Sequence, residues 1–232
     1  MTTIYTAVGR FQKRGSMSGL ACPIITIGQR ECSVDLQEMI IWSVLNWRIL
    51  NRRQLEDLYR EKCHEVGYQT HRSLEDCLQR LVQRGLVVDG SGPSDEDALY
   101  HLLSCLYIIP LSQSFSLRAV TFLKLIVAGR ASFNQAKRLF KRDTLSDCER
   151  RVMELSKQAL LSTAEVIKCI EENAHDLSSS AKVMDTLYGD EETTSDNIAS
   201  TARCFESRQP VILAVANLYL RQHIIFDRGD VA

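Results

Sequence analysis

The side chains of this sequence that could do chemistry crowd between Asn51 and Gln83. Cys63, His64, His71 and Cys77 are all of zinc-ligating type, but their spacing matches no common zinc pattern, and helical periodicity turns Cys77 inward while His71 faces out. Separate core and surface roles fit them better, so neither a metal nor a cofactor is expected. Nucleophilic chemistry has less to stand on. The chain holds no G-x-S-x-G, no H-E-x-x-H, no P-loop and no dinucleotide fingerprint; "DGSGPS" lacks both the lysine and the spacing of a phosphate cradle. Acid pairs such as Glu56–Asp57 and Glu171–Glu172 are adjacent, which splits them across a helix surface. An enzyme is not expected.

The same stretch does offer groups that bond bases and phosphates. A helix over 71–84, capped by Thr70, turns His71, Arg72 and Glu75 outward at its start and Gln79 one turn on. Arginine pairs bidentately with guanine, and glutamine prefers adenine. Arg52 and Arg53 open the preceding helix, where cations and free backbone N–H groups suit phosphates. Arg10, Lys13 and Arg14 lie in a basic N-terminal stretch that reads as an extended arm for the DNA backbone or minor groove. The alternative stays open that these charges form a solvated surface, because Asp57, Glu61, Glu65, Glu75 and Asp76 dilute the positive field.

The elements that must position these groups are legible as caps and stripes. Ser33 is placed to cap "VDLQEMIIWSVLNW", whose Leu36, Ile40, Val44 and Trp47 repeat at helical spacing. After an extended "RILN", Asn51 caps "RRQLEDLYREKCHEV" and Gly67 closes it. In the third helix Leu74, Cys77, Leu78, Leu81 and Val82 face inward, Gly85 suits a left-handed position, and "LVVD" is a short strand. Residues 95–107 read either as a returning strand or as a helix. Ser94 before "DED", with Leu99, Leu102, Leu103 and Leu106, favours the helix. A nearly all-apolar helix at 117–129 and one capped by Ser132 follow. From Thr144 the pattern starts again, and "PVILAVANLYLRQH" runs into "IIFD" as the helix at 71–84 runs into "LVVD".

The capped "NRRQLEDLYREK", the capped "THRSLEDCLQRLVQRG" and the strand "LVVDG" together resemble winged helix-turn-helix transcriptional regulators of the MarR and PadR type, over roughly a third of the chain. The resemblance implies a mostly α fold with short strands. It divides the chain into a basic arm at 1–30, a winged helix-turn-helix DNA-binding domain at 31–110, connecting helices at 111–143 and a helical domain at 144–232. The last is expected as a second, degenerate winged-helix-like module. It further implies a bacterial-type transcriptional regulator whose homodimer reads a near-palindromic double-stranded DNA site through the helix at 71–84. The apolar helices at 117–129 and 211–223 are the expected dimer contacts, and a small-molecule effector is conceivable. Two alternatives stay open: a two-module replication or partition initiator of a mobile element, and a winged-helix adaptor that binds only protein.

Charge and composition agree with these classes without choosing among them. The chain has 232 residues and a formal net charge of -1, but residues 1–90 hold 12 Lys/Arg against 10 Asp/Glu, and residues 91–232 hold 16 against 19. Eight cysteines without a C-x-x-C pair read as free thiols in a reducing compartment, with Cys77, Cys105 and Cys169 inside apolar helical patterns. No signal peptide and no membrane span is apparent, so a cytoplasmic location is expected.

Overall fold

The computed structural model describes residues 1–14, 22–111, 144–190 and 192–228. Helix predominates over strand, and the strands form small antiparallel sheets. The helices expected at 117–129 and after Ser132 lie outside the described residues.

The first unit is built on a strand that the sequence reading took for an arm. β1 (Thr2–Ala7) is the middle strand of a three-stranded sheet, antiparallel to β5 (Leu50–Asn51) on one side and β6 (Val87–Gly92) on the other. Thr2–Ala7 alternates too weakly to announce a strand, yet six residue pairs hold it along β6. Beyond it, β2 (Arg10–Arg14), β3 (Cys22–Ile27) and β4 (Arg30–Ser33) form a meander that leads into the first helix. Residues 2–7 therefore belong to the first sheet and are not a free arm.

Three helices cover this sheet: α1 (Leu36–Leu45), α2 (Arg52–Val66) and α3 (Leu74–Gln83). Two start in capping boxes, Asp35 with Glu38 and Asn51 with Gln54, in which each side chain satisfies a backbone N–H of the other residue. Asp35, not Ser33, caps α1, because the chain stays extended through β4 to Ser33. Likewise Ser73, not Thr70, caps α3, so His71 and Arg72 precede the helix. The α1 stripe also shifts: Leu36 is exposed, while Ile41, Trp42 and Leu45 are buried, and Trp42 Nε1 donates to Val8 O at 3.0 Å. Trp47 follows the helix with a left-handed φ of 56°.

α4 (Asp95–Leu103) confirms the helical reading of that segment but is shorter than expected. It ends before β7 (Tyr107–Pro110), which leaves Cys105 exposed. β7 opens a second unit with the same plan as the first. It lies between Ser162, through a single antiparallel bridge, and β8 (Ile224–Asp227). The helices are α5 (Asp147–Gln158), α6 (Thr163–Glu171) and, after α7 (Ser180–Tyr188) and α8 (Ile198–Ala202), the long α9 (Arg208–Leu220). In both units a first strand takes the middle of a sheet, a helix leads to a short edge segment, and further helices, two in the first unit and, among the described residues, four in the second, lead to the outer strand.

The repeat extends to individual backbone bonds. After α3, the N–H groups of Arg84, Gly85 and Leu86 donate to the carbonyls of Arg80, Val82 and Leu81. After α9, Arg221, Gln222 and His223 donate to Asn217, Tyr219 and Leu218 in the same order. Gly85 and Gln222 carry the left-handed turn, with φ of 73° and 61°. Capping boxes at Ser146–Glu149 and Ser162–Glu165 match those at Asp35–Glu38 and Asn51–Gln54. The patterned likeness between "LVVD" and "IIFD" is thus a likeness of geometry.

The two units share a core. Gly9 N donates to Phe226 O and Gly28 N to Asp227 Oδ1, which seats β8 against the first unit's meander. α9 carries the apolar load expected of a dimer contact, but Val211, Ile212, Ala214, Val215, Ala216, Leu218 and Tyr219 are buried inside the chain. Leu213 and Leu220 remain exposed.

Candidate recognition surface

Of the residues nominated for DNA, Arg52, Arg72 and Glu75 are already engaged in ion pairs. Arg52, the first residue of α2, bonds Glu56 at 2.7 Å and pairs with Glu75 of α3. Partial burial works against its charge, but the two carboxylates outweigh that and raise its pKa. Arg72 pairs with the α1 cap Asp35, and this hydrogen bond raises the arginine's pKa. Its backbone is also held, since Arg72 O accepts from Gln37 Nε2 at 2.8 Å. Gln37 Nε2 bonds Tyr59 Oη as well, so a buried polar chain runs from α2 through α1 to the start of α3.

The other nominated residues are placed more loosely. Thr70 and His71 are exposed in the loop before α3, with the His71 ring edge-on to Tyr68 at 5.9 Å. Glu75 and Gln79 face solvent along α3, together with Asp76 and Gln83. Arg53 is exposed beside Arg52, and Arg10 is exposed in β2. Lys13 and Arg14 complete β2, which pairs with β3 and is no extended arm. Of the possible zinc ligands, Cys63 and Cys77 are buried while His64 and His71 are exposed. Burial pushes the Cys77 thiol above its ordinary pKa. Among the described residues no three metal-ligating side chains converge.

A buried ion-pair cluster was missed by the sequence reading. Glu38, the capping-box residue of α1, is 1% exposed, and its carboxylate meets Arg84 at 3.0 Å and Arg80 at 3.3 Å. Arg84, the C-cap of α3, also donates to Ser33 O of β4, and its own carbonyl accepts from Arg30 Nη2 at 2.8 Å. The second unit repeats the clasp: Glu149, the capping-box residue of α5, meets Arg221, the C-cap of α9, at 3.5 Å. The D-x-x-E and S-x-x-E spacings at 35–38 and 146–149 are the sequence signal that could have found both glutamates. Their arginine partners, dozens of residues away, had no local signal.

A cleft of about 390 Å³ opens between α1 and α2, lined by Ser43, Val44, Arg48, Leu58, Glu61, Lys62 and Glu65. Lys62 and Glu65 satisfy each other at 2.6 Å across its mouth. The apolar effector pocket expected beside helix 117–129 lies outside the described residues. Among the described residues no helix is long and apolar enough to cross a membrane.

Comparison with family models, with curated proteins and with solved structures gives no match to this chain.

Proposed function

We propose that the chain is a recognition protein made of two fused winged-helix-like units, and that its partner is a protein segment. The element order α1, β5, α2, α3, β6 around a three-stranded sheet supports the winged-helix reading, with one change. The central strand, which a winged helix takes from the chain after its outer strand, comes here from the N-terminal β1. No wing hairpin then projects from β6, since the chain turns directly into α4.

The observation that carries the choice of partner is the state of the arginines where DNA would lie. Arg52, Arg72, Arg80 and Arg84 each stand against a carboxylate of the same unit, and the outward face of α3 offers Glu75 and Asp76. Counterion release needs cations that are free to meet phosphates, and acids at the helix start oppose them. A protein segment tolerates such a mixed surface.

A dimeric DNA-binding regulator is the second reading, favoured by the consecutive α2 and α3 and by exposed Arg53 and Arg10. Fluorescence anisotropy with duplex fragments flanking the protein's own gene, over a salt series, separates the two. The protein-segment reading expects weak binding with no sequence preference. Tight, sequence-selective binding that falls about 1,000-fold or more between 50 and 200 mM salt, and weakens in Arg53→Ala, returns the assignment to DNA.

A further inference from the structure

The α3–β6 turn is the floor of a basic notch. Gly85 has no side chain, and the point where a Cβ would sit is 3.3 Å from Arg228 Nη1 and 3.7 Å from Arg30 Nη2. The guanidinium groups of Arg30, from β4, and of Arg228, just past β8, thus stand within 4 Å of one point, one from each unit. Both residues are exposed. Arg84 lies beside them, and Arg80 one turn back. Among the described residues, Arg84 and Arg80 are paired with Glu38, whereas Arg30 and Arg228 form no ion pair with a carboxylate. Arg30 is held in place through its bond to the carbonyl of Arg84.

We infer that this notch binds a carboxylate side chain of an acidic peptide segment, an inference that rests on the protein-segment reading above. Like charges brought this close repel unless an anion lies between them, and planar guanidinium groups take carboxylates with N···O bonds near 2.8 Å. Gly85, itself buried, lets the two arginine side chains close over the turn, and Arg30 is fixed in advance by its bond to the Arg84 carbonyl, which lowers the ordering cost of binding. The equivalent turn of the second unit has Gln222 in place of glycine. Among the described residues the notch therefore arises once, where the units meet. Its limited extent favours a peptide over duplex DNA. Glu31 and Asp227 flank it, and a phosphate backbone needs a continuous cationic track, whereas a few acidic side chains need only two or three guanidinium groups.

The test is an anisotropy titration of the full chain with a labelled peptide of alternating Glu and Ala, with its Gln-for-Glu counterpart, and with a labelled duplex DNA. The acidic peptide is expected to bind, its counterpart to bind at least about tenfold more weakly, and Arg30→Ala with Arg228→Ala to weaken the acidic peptide about tenfold. Arg228→Glu, at an exposed position, is expected to abolish binding while leaving the circular dichroism melt unchanged. Arg53→Ala, outside the notch, is expected to leave binding within about twofold. Equal binding of the two peptides, or no effect of either arginine variant, overturns the notch and leaves the protein-segment reading standing. Tight, salt-sensitive duplex binding lost in the same variants overturns both.

Discussion

The hydroxyl of Tyr219, on the last helix, accepts a hydrogen bond from Thr6 Oγ1, on the first strand, at 2.9 Å. The same oxygen accepts from the backbone N–H of Trp47 at 2.9 Å, and the Tyr219 ring stacks on Phe226 with centroids 4.4 Å apart. One buried hydroxyl therefore ties the C-terminal unit to the central strand of the N-terminal unit and to the strained turn after α1. Tyr219→Phe keeps the ring and removes the acceptor, leaving Thr6 and the Trp47 N–H without it. A loss of about 2 kcal/mol follows, chiefly from the stranded Trp47 N–H, since the Thr6 hydroxyl keeps the Arg48 carbonyl at 2.9 Å. Urea unfolding followed by tryptophan fluorescence and by far-UV circular dichroism should give one coincident transition in the natural protein. The variant should show a lower midpoint. Two separate transitions in the natural protein would refute the shared core.

The same burial sets an alkaline limit. Desolvation pushes the Tyr219 phenol up to about 12 and Tyr100 up to about 12, and raises Tyr5, Tyr59, Tyr107 and Tyr188 as well. In the unfolded chain these phenols lose their protons near pH 10, while the folded chain keeps them, so the unfolded state binds fewer protons above that pH. Stability is accordingly full below about pH 10, and Tyr219 and Tyr100 each lower it between about pH 10 and 12 by up to ~1.4 kcal/mol per pH unit. Chemical denaturation at a series of pH values checks this. A flat profile between pH 9 and about pH 11 would contradict it, since that window spans the onset of unfolded-state ionisation.

The two glutamate clasps offer an internal comparison. Glu38 is buried and holds two arginines, whereas Glu149 holds Arg221 alone at 3.5 Å. Removing one partner of a buried pair strands the other, but these arginines are partly exposed, so the full interior figure does not apply. Glu38→Gln should cost about 2–3 kcal/mol and Glu149→Gln about 1 kcal/mol, read as shifts in urea midpoint at constant m-value. Equal costs would mean that Arg80 and Arg84 add nothing beyond the cap.

How far the sequence carried the fold depends on the range of the interaction. Helices were legible where their signals are local: Asn51 and Ser94 cap as read, and Gly67 and Gly85 close their helices in the left-handed conformation. Where two polar residues compete for a cap, the tertiary contact decides. Asp35 displaces Ser33 because Ser33 is still in β4, and Ser73 displaces Thr70 because the backbone of Arg72 is bonded to Gln37. The central strand was illegible for the same reason. Thr2–Ala7 pairs with residues some fifty and ninety positions away, and nothing in its own pattern reports them. At the surface, the helical pattern located Arg52 and Arg72 but not the carboxylates that hold them, nor the meeting of Arg30 with Arg228.

Lys168 is the other buried charge whose role the geometry defines. It is 1% exposed, and its ammonium donates to Leu187 O at 2.8 Å and to Thr193 Oγ1 at 2.9 Å, and pairs with Asp190. The lysine thereby fastens the end of α7 and the acidic stretch after it to α6. Its hydrogen bond is the leading cause that holds the Asp190 carboxyl down to about 2. That contribution is present above the unfolded value near 4 and is lost as pH falls from there through about 2. Lys168→Met fills similar space without the charge and leaves the Leu187 carbonyl and the Asp190 carboxylate without the ammonium, while Thr193 keeps its bonds to Asp190. The expected cost is about 2 kcal/mol, with the loss concentrated in the segment it anchors. Limited proteolysis should then cut between 187 and 197 well before the rest of the chain, whereas the natural protein resists there. Cleavage spread evenly over the molecule would show that Lys168 supports the whole core and not this one fastening.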